Sequence, residues 1–590
     1  MFIRSSWANV YSPLLGECLF APLGRMFICP YLFVILGEYL FAPSFFFMTL
    51  RNITALLIAL LGCMNSNTQA WAQFGGGDIG NIDDVKRATD KLYEALYLLD
   101  VRYMEDVNLK KATENAIKGM LEELDPHSVY IPADEYKKMN EPLKGNFEGV
   151  GVTFNILHDT IVVVSVIQGG PSEKVGILPG DQIINVDAKC MAGIGIKNSD
   201  VIGKLRGPKN TEVVVSIKRR SEAKLLDFTI VRDNIPLYSI DASYMATPDV
   251  GYIKLSRFAS TTSDEFNAAL QKLKAENMKN LILDLSGNGG GLLDAAVSLV
   301  NEFIGDKKLI VYTEGKHAPR REYRAEKGGD FREGKVIILI DEGSASASEI
   351  VAGAVQDWDR GLLIGRRTFG KGLVQRPFML PDSSYLRLTI AHYYTPAGRS
   401  IQKPYDEGRD TYQKDIGERL KKGELTDSTT TTTELPDSLK FFTRSKKRPV
   451  YGGGGVTPDI FVALDTTQQS SYWKDINRKG LFNKFALEYV NQHRDSMHLQ
   501  YATVDSYDQQ FIITDTLLSN LYAMTDKEGI TRPETDLATS KNLIATSLKA
   551  LIARYLWDAT AYYKIANQIN PSYQKALETM KNGTLFSKIE

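Results

Sequence analysis

The sequence is poor in the residues that most often announce chemistry. Histidine occurs six times in 590 residues. No two histidines stand at metal-ligand spacing with a cysteine or carboxylate cluster, which argues against a structural or catalytic zinc. Charge of either sign is not in excess, with Lys+Arg 70 against Asp+Glu 71. Neither nucleic acid nor another polyanion is called for as a partner. Cysteine is scarce and lopsided: Cys18, Cys29 and Cys63 precede residue 64, and Cys190 stands alone after it.

What the first 72 residues do contain explains that asymmetry. Met48 to Asn52 is a short basic start. The apolar run Ile53 to Met64 is too short to span a bilayer comfortably, and Ala70-Trp71-Ala72 supplies a small-residue cleavage site. Together 48–72 reads as a secretory signal. Leu60-Leu61-Gly62-Cys63 offers a second reading, a lipobox with Cys63 lipidated and the chain membrane-associated. Leu61 suits that motif poorly, so cleavage after Ala72 is preferred. Upstream, Leu15 to Pro22 recurs as Leu36 to Pro43. The segment 1–47 is either a membrane-embedded extension or translated DNA ahead of a true start at Met48, and the second is simpler. A mature chain from Gln73 keeps one thiol and no internal disulfide, which suits a bacterial periplasm.

The remaining length allows about three or four domains at roughly 100–200 residues each. Residues 73–144 form an N-terminal helical region, with amphipathic spacing at Leu92, Leu96 and Leu99 and again at Ile117 and Leu121. Residues 145–233 change to short β-type runs. From 234 to 404, buried-type strands at Leu281–Leu285, Val336–Ile340 and Leu362–Ile364 alternate with helical patterns, which predicts an α/β core. The stretch 405–450 is polar and centred on Thr429 to Thr433, so a flexible insertion is expected. Order returns over 451–469 after Gly452 to Gly455, and 470–590 reads as helical.

Within 145–233, two glycine patterns fall at telling distances: Phe147-Glu148-Gly149-Val150-Gly151-Val152, and Gly-x-Leu-Pro-Gly-Asp-x-Ile ending at Ile183. The module resembles a PDZ domain. Strand addition is the physics involved: a peptide pairs with an exposed strand edge while N–H groups freed by glycines cradle its terminal carboxylate. Phe147, Gly149, Val150, Gly151 and Val152 are the candidate peptide-binding residues. Glycines that merely make tight turns in a small barrel are the plainer alternative.

Three serines, Ser344, Ser346 and Ser348, alternate where the buried run Val336–Ile340 turns into a helical pattern. Ser346-Ala347-Ser348-Glu349 is a capping box, in which the hydroxyl would close the helix N-terminus. A serine on a strand–turn–helix corner is also how a nucleophile is displayed. A nucleotide site is suggested by Gly365-x-x-x-x-Gly370-Lys371 and fails: Gly372 stands where Ser or Thr should follow, Pro377 and β-type residues replace the helix, and the motif order is reversed. No histidine recommends itself as a base, His392 being more simply a strand residue. Lys371 is the alternative if burial lowers its pKa; a solvated lysine in a glycine turn is the commoner case.

Gly343 to Glu349, Thr368 to Gln375 and Asp284-Leu285-x-x-Asn288-x-Gly290-Gly291 together resemble the carboxyl-terminal processing, or tail-specific, proteases, over about 85–465 including Asp125-Pro126-His127-Ser128. The resemblance implies a crotonase/ClpP-like α/β core with an inserted PDZ barrel and helical N- and C-terminal regions. It implies Ser346 as nucleophile and Lys371, 25 residues on, as base. Gln375 would orient that lysine, and the Gly290 and Ala347 N–H groups would form the oxyanion hole. Protein substrates with exposed C-terminal tails would be the partners, with a homo-oligomer open. No metal, nucleotide or organic cofactor is implied. Ser286 and Gly289 depart from the family's usual Arg and Pro, so a looser loop is expected there. A peptide-binding PDZ scaffold with an inactive core is the rival reading, and the C-terminal helices receive no role beyond oligomerisation or a lid.

Overall fold

The computed structural model describes residues 82–326, 329–427 and 436–589. The signal, the lipobox, the repeat and the threonine run at 429–433 lie outside the described residues. Two units divide the chain. The first ends at Ala95 and contributes the start of the helix Ile82–Arg102; the second, Leu96 to Glu590, holds all that follows.

A six-stranded sheet forms the centre of the second unit. Its spatial order is also its chain order: Ile240–Thr247, Val250–Leu255, Asn280–Asp284, Val336–Ile340, Leu362–Gly365 and Ile460–Phe461. The first pair is antiparallel and the others are parallel. Successive side chains of a strand point to opposite faces, and both faces here are buried. Val336, Ile338 and Ile340 join Leu281, Leu283 and Leu363 on one face, covered by the helices Thr262–Ala275, Leu293–Asn301 and Ala347–Asp357. Ile337, Leu339, Ile282, Leu362 and Ile364 lie on the other, against Tyr573, Ala576 and Met580 of the helix Pro571–Asn582. The C-terminal region therefore completes the central core, a role that sequence reasoning did not assign. Its 3.6-residue period says that a face is apolar, not what covers it.

A second, five-stranded sheet was only partly foreseen. The strand Tyr385–Tyr394 pairs along one edge with Leu373–Met379. Its other edge is shared by Val129–Ile131 and Leu309–Gly315, and Ala318–Arg324 pairs onto the latter. Val129–Ile131 interrupts a region read as helical throughout.

The β-type module is a six-stranded antiparallel sheet around Ile161, Val163, Ile183, Val213, Val215 and Ile217. A two-stranded ribbon, Asn146–Gly149 with Asp233–Pro236, closes its base. Among the described residues Val152–Leu157 is an edge strand, with a partner on one side only.

The expected flexible stretch 405–450 is largely folded on both sides of its undescribed centre. Arg409–Lys421 is a helix, and Lys440–Phe442 pairs with Pro449–Tyr451. Ion pairs and buried Tyr412, Leu425 and Val450 both order it. Buried Arg419 donates to the Arg367 and Thr368 carbonyls and to Glu424, and Arg448 bridges Asp359 and Asp459. Composition flags lost hydrophobicity but cannot register such pairing.

Met580→Ala should cost about 2–4 kcal/mol of unfolding free energy in urea melts, because it opens a cavity against the sheet. Leu499→Ala, at a side chain 89% exposed, should change it by no more than about 0.5 kcal/mol.

Candidate active site

Three loops meet where three adjacent parallel strands end. The glycine loop 285–291 follows Asn280–Asp284, the serine turn 341–346 follows Val336–Ile340, and the lysine loop 366–372 follows Leu362–Gly365. The carboxyl ends of parallel strands are where open α/β sheets place ligands.

Each of the three serines has its own task. Ser344 Oγ donates to the Leu285 carbonyl, and Ser348 Oγ to that of Asn288, so both outer serines, fully buried, pin the turn to the glycine loop. Ser346 sits at the helix N-cap with φ 56°, a rare conformation for a residue with a side chain. Half of the capping box forms: Glu349 Oε2 accepts from Ser346 N–H at 2.8 Å. The Glu349 N–H goes to the backbone oxygen of Ser346, and no side-chain hydrogen bond caps the helix. The middle hydroxyl instead lines a cavity of about 510 Å³ with Lys371, Ala347, Leu292, Met139 and Arg387.

Glu349 holds the serine and lysine segments together. Oε2 also accepts from Lys371 N–H at 2.9 Å, while Oε1 accepts from Thr368 Oγ1 at 2.6 Å and from Gly370 N–H at 2.8 Å. The carboxyl is wholly buried. Burial lifts its pKa to about 7, against the pull of the groups donating to it, Thr368 first. Tyr393 adds a second tie from the strand Tyr385–Tyr394. Its hydroxyl donates to the Lys371 carbonyl at 2.6 Å and lies 3.0 Å from that of Ser346. Sequence reasoning gave Glu349 only a capping role and missed Tyr393, for which an alternating strand pattern carries no signal.

Lys371 lines the same cavity, half-buried. Its pKa is lowered from 10.5 to about 8: burial is the largest cause and the Arg387 guanidinium acts in the same sense, while the Glu349 and Asp125 carboxylates oppose both. Among the described residues Lys371 Nζ has no hydrogen-bond partner. Gln375 lines the same cavity, but its amide Nε2 approaches Thr389 Oγ1 at 3.5 Å instead of the lysine. Thr389 in turn donates to Asp125, whose carboxylate also accepts from the backbone of His127 and Ser128. The His127 pKa is lowered to about 4, chiefly by burial and next by the Lys371 charge, against the Asp125 carboxylate.

The glycine loop is pinned rather than loose. Lys254 Nζ donates to the Ser286 carbonyl, Asp341 accepts from Gly287 N–H, and buried Asn288 donates to Leu255 O. Gly290 adopts φ +98°, and a Cβ there would fall 2.8 Å from Ser346 Cβ and 2.9 Å from Ala347 N. Only glycine fits so close to the serine. The Gly290 N–H, expected at the oxyanion hole, donates here to Asn288 Oδ1 at 2.9 Å, inside the loop. Ala347 N–H belongs to the first helical turn, which helix geometry leaves without an internal acceptor.

The five candidate peptide-binding residues separate. Phe147 and Gly149 are bound into the closing ribbon, opposite Ile235 and Asp233. Val150 and Gly151, the latter at φ +80°, make the bend, and Val152 opens the free-edged strand. Arg206 stacks over the Phe147 ring at 4.2 Å and pairs with Glu141, on the helix Ala133–Lys144 whose Tyr136, Met139 and Asn140 line the cavity shared by Ser346 and Lys371. A larger cavity of about 690 Å³ lies against the C-terminal helices, lined by His158, Glu488 and His493, away from all three loops.

Comparison with known proteins matches four parts of the chain. Residues 249–408 fit peptidase family S41, 149–230 a PDZ domain, and 65–135 the activating protease CtpB N-terminal domain. Residues 472–558 fit a family of unknown function, DUF8443. A carboxy-terminal-processing protease of Bartonella bacilliformis is 41% identical, over 50% of this chain and 68% of its own. Carboxy-terminal processing protease CtpA of Bacillus subtilis is 34% identical, over 61% and 74%. Among solved structures, a photosystem II D1 C-terminal processing protease is 24% identical with a TM-score of 0.33, covering 64% of this chain and 93% of that one.

Replacing the half-buried Lys371 tests its depressed pKa without any substrate. A depressed pKa means that the unfolded state binds more protons between about 8 and 10.5, so the folded state carries its full penalty below about 8. Lys371→Met should therefore stabilise the protein at pH 7, by up to about 3 kcal/mol. The gain should fade as pH rises from about 8 toward 10.5 in melts followed by circular dichroism. An equal effect at pH 7 and pH 10.5 would place the lysine in solvent.

Proposed function

The chain belongs to the carboxy-terminal processing proteases of peptidase family S41, and from that premise we propose that it cuts protein substrates with a Ser346/Lys371 dyad after its PDZ domain has taken hold of their C-terminal tails. The observation that carries the proposal is the shared cavity, in which an uncapped serine hydroxyl and a half-buried lysine of pKa about 8 lie in segments joined by one carboxylate.

Neutral Lys371 removes the proton from Ser346 Oγ as that oxygen attacks the scissile carbonyl. The tetrahedral oxyanion draws on Ala347 N–H and on Gly290 N–H, which must turn from Asn288 to reach it. Collapse expels the amine, which takes the proton back from Lys371, and water releases the acyl-enzyme by the same route. Apo sites often hold such contacts loosely until substrate tightens them, which accounts for an unpartnered lysine. On the PDZ side, the tail adds to the free edge of Val152–Leu157, with its terminal carboxylate at the Val150–Gly151 bend.

The rival reading, a tail-binding scaffold that does not cut, draws support from one contact, the Gly290 N–H committed to Asn288. Cleavage decides between the two. With an unfolded protein carrying an apolar tail, and without metal or nucleotide, the parent chain should cut while Ser346→Ala and Lys371→Ala do not. Its kcat/KM should rise with pH through about 8, as Lys371 loses its proton, and should fall when the tail is removed. A parent chain that binds the tail but leaves the substrate intact would favour the scaffold.

Export to a periplasm belongs to the same proposal, resting on the 48–72 signal pattern. Intact-mass measurement of the secreted protein should give a chain starting at Gln73. A lipid-bearing Cys63 at the new N-terminus would instead mean membrane association, and an uncleaved chain would contradict export.

A further inference from the structure

The catalytic cavity holds a second cation that the dyad mechanism does not use. Arg387 lies on the strand Tyr385–Tyr394, opposite Pro377 on one side and Val129 on the other. It lines the cavity together with Ser346 and Lys371. Its Nε is buried and has no hydrogen-bond partner. Among the described residues no carboxylate pairs with its guanidinium, and the cavity lining contains neither Asp nor Glu. The other walls are mostly apolar, from Ile131, Met139, Leu143, Leu292 and Leu293.

Arg387 is half-buried, but its Nε is withdrawn from water without an acceptor, which is costly, and arginine's planar fork matches a carboxylate. Surface arginines escape the cost by reaching solvent; Arg387 Nε does not. We propose that Arg387 forms a subsite for a substrate carboxylate, fixing an anionic group of the bound chain beside the scissile bond. The carboxylate is either the chain's own C-terminus or an Asp or Glu side chain near the cut. Charge coupling within the cavity supports this arrangement, since Arg387 is among the groups that lower the Lys371 pKa. A carboxylate held there would offset part of that lowering.

The subsite rests on the dyad reading for its role in cleavage, but its occupancy can be measured without turnover. The probe is a set of fluorescein-labelled apolar heptapeptides: free acid against C-terminal amide, and an internal Glu against Gln. Binding is read by anisotropy at pH 8, in full-length Ser346→Ala protein and in the same protein with Arg387→Met or Arg387→Lys. Any tail binding at the PDZ is common to all three proteins and cancels in the comparison. One carboxylate pair, and not its neutral partner, should bind about tenfold or more tightly through Arg387. Arg387→Met should reduce that preference toward one and Arg387→Lys should keep part of it. Which pair responds identifies the source of the carboxylate.

Preferences that are the same with and without Arg387 would overturn the subsite. If the Arg387-dependent preference appears while the unmutated chain cleaves nothing, the subsite stands and the protease reading fails. In a chain that cleaves, the favoured acidic peptide should give a kcat pH profile displaced upward from that of its neutral partner, and Arg387→Met should remove the displacement. A merely structural arginine would move stability and leave acid and neutral peptides in the same ratio.

Discussion

The buried carboxylate of Glu349 is the interaction on which the site depends. Ser346 and Lys371 stand on different loops, and both loops present backbone N–H groups that would be unsatisfied inside the protein. One carboxylate accepts from both, and from Gly370 and Thr368 besides. A charged group in that position is expensive by itself, and four donors offset the expense. The same hydrogen bonds fix the distance between the two segments, so that solvation and positioning are one requirement. Tyr393, bridging the two carbonyls from a neighbouring sheet, extends the tie to a third element.

The central sheet makes that arrangement possible. Because its strands run in chain order and mostly parallel, their carboxyl ends bring the glycine, serine and lysine loops side by side. Burial on both faces keeps the strand ends still. One face is covered by the helix that begins at Ser346, and the other by the last helix of the chain, more than 200 residues later. A segment remote from the chemistry thereby supports the platform on which it is built.

Much of this was legible in the sequence because it rests on local rules. Val336–Ile340 is a continuous apolar run, and a strand buried on both faces reads that way. The Ser-x-x-Glu spacing marked the helix start. What escaped were facts of pairing. That Glu349 reaches the lysine loop, that Arg419 and Arg448 find carboxylates and carbonyls in a polar stretch, and that Gly290 N–H turns to Asn288 all depend on residues distant in the chain or on a side-chain rotamer. The Ser286 and Gly289 departures pointed to a slack loop for the same reason: Lys254, Asp341 and Asn288 hold it, and only Asn288 is within the motif.

The most direct measurement is covalent labelling with a sulfonyl fluoride, followed by intact mass and peptide mapping, at a series of pH values from 6 to 10. A dyad held by Glu349 predicts one adduct, on Ser346, forming at a rate that climbs through about pH 8 and is lost in Lys371→Met. Labelling of Ser346 at a pH-independent rate, or at the same rate without the lysine, would contradict the account.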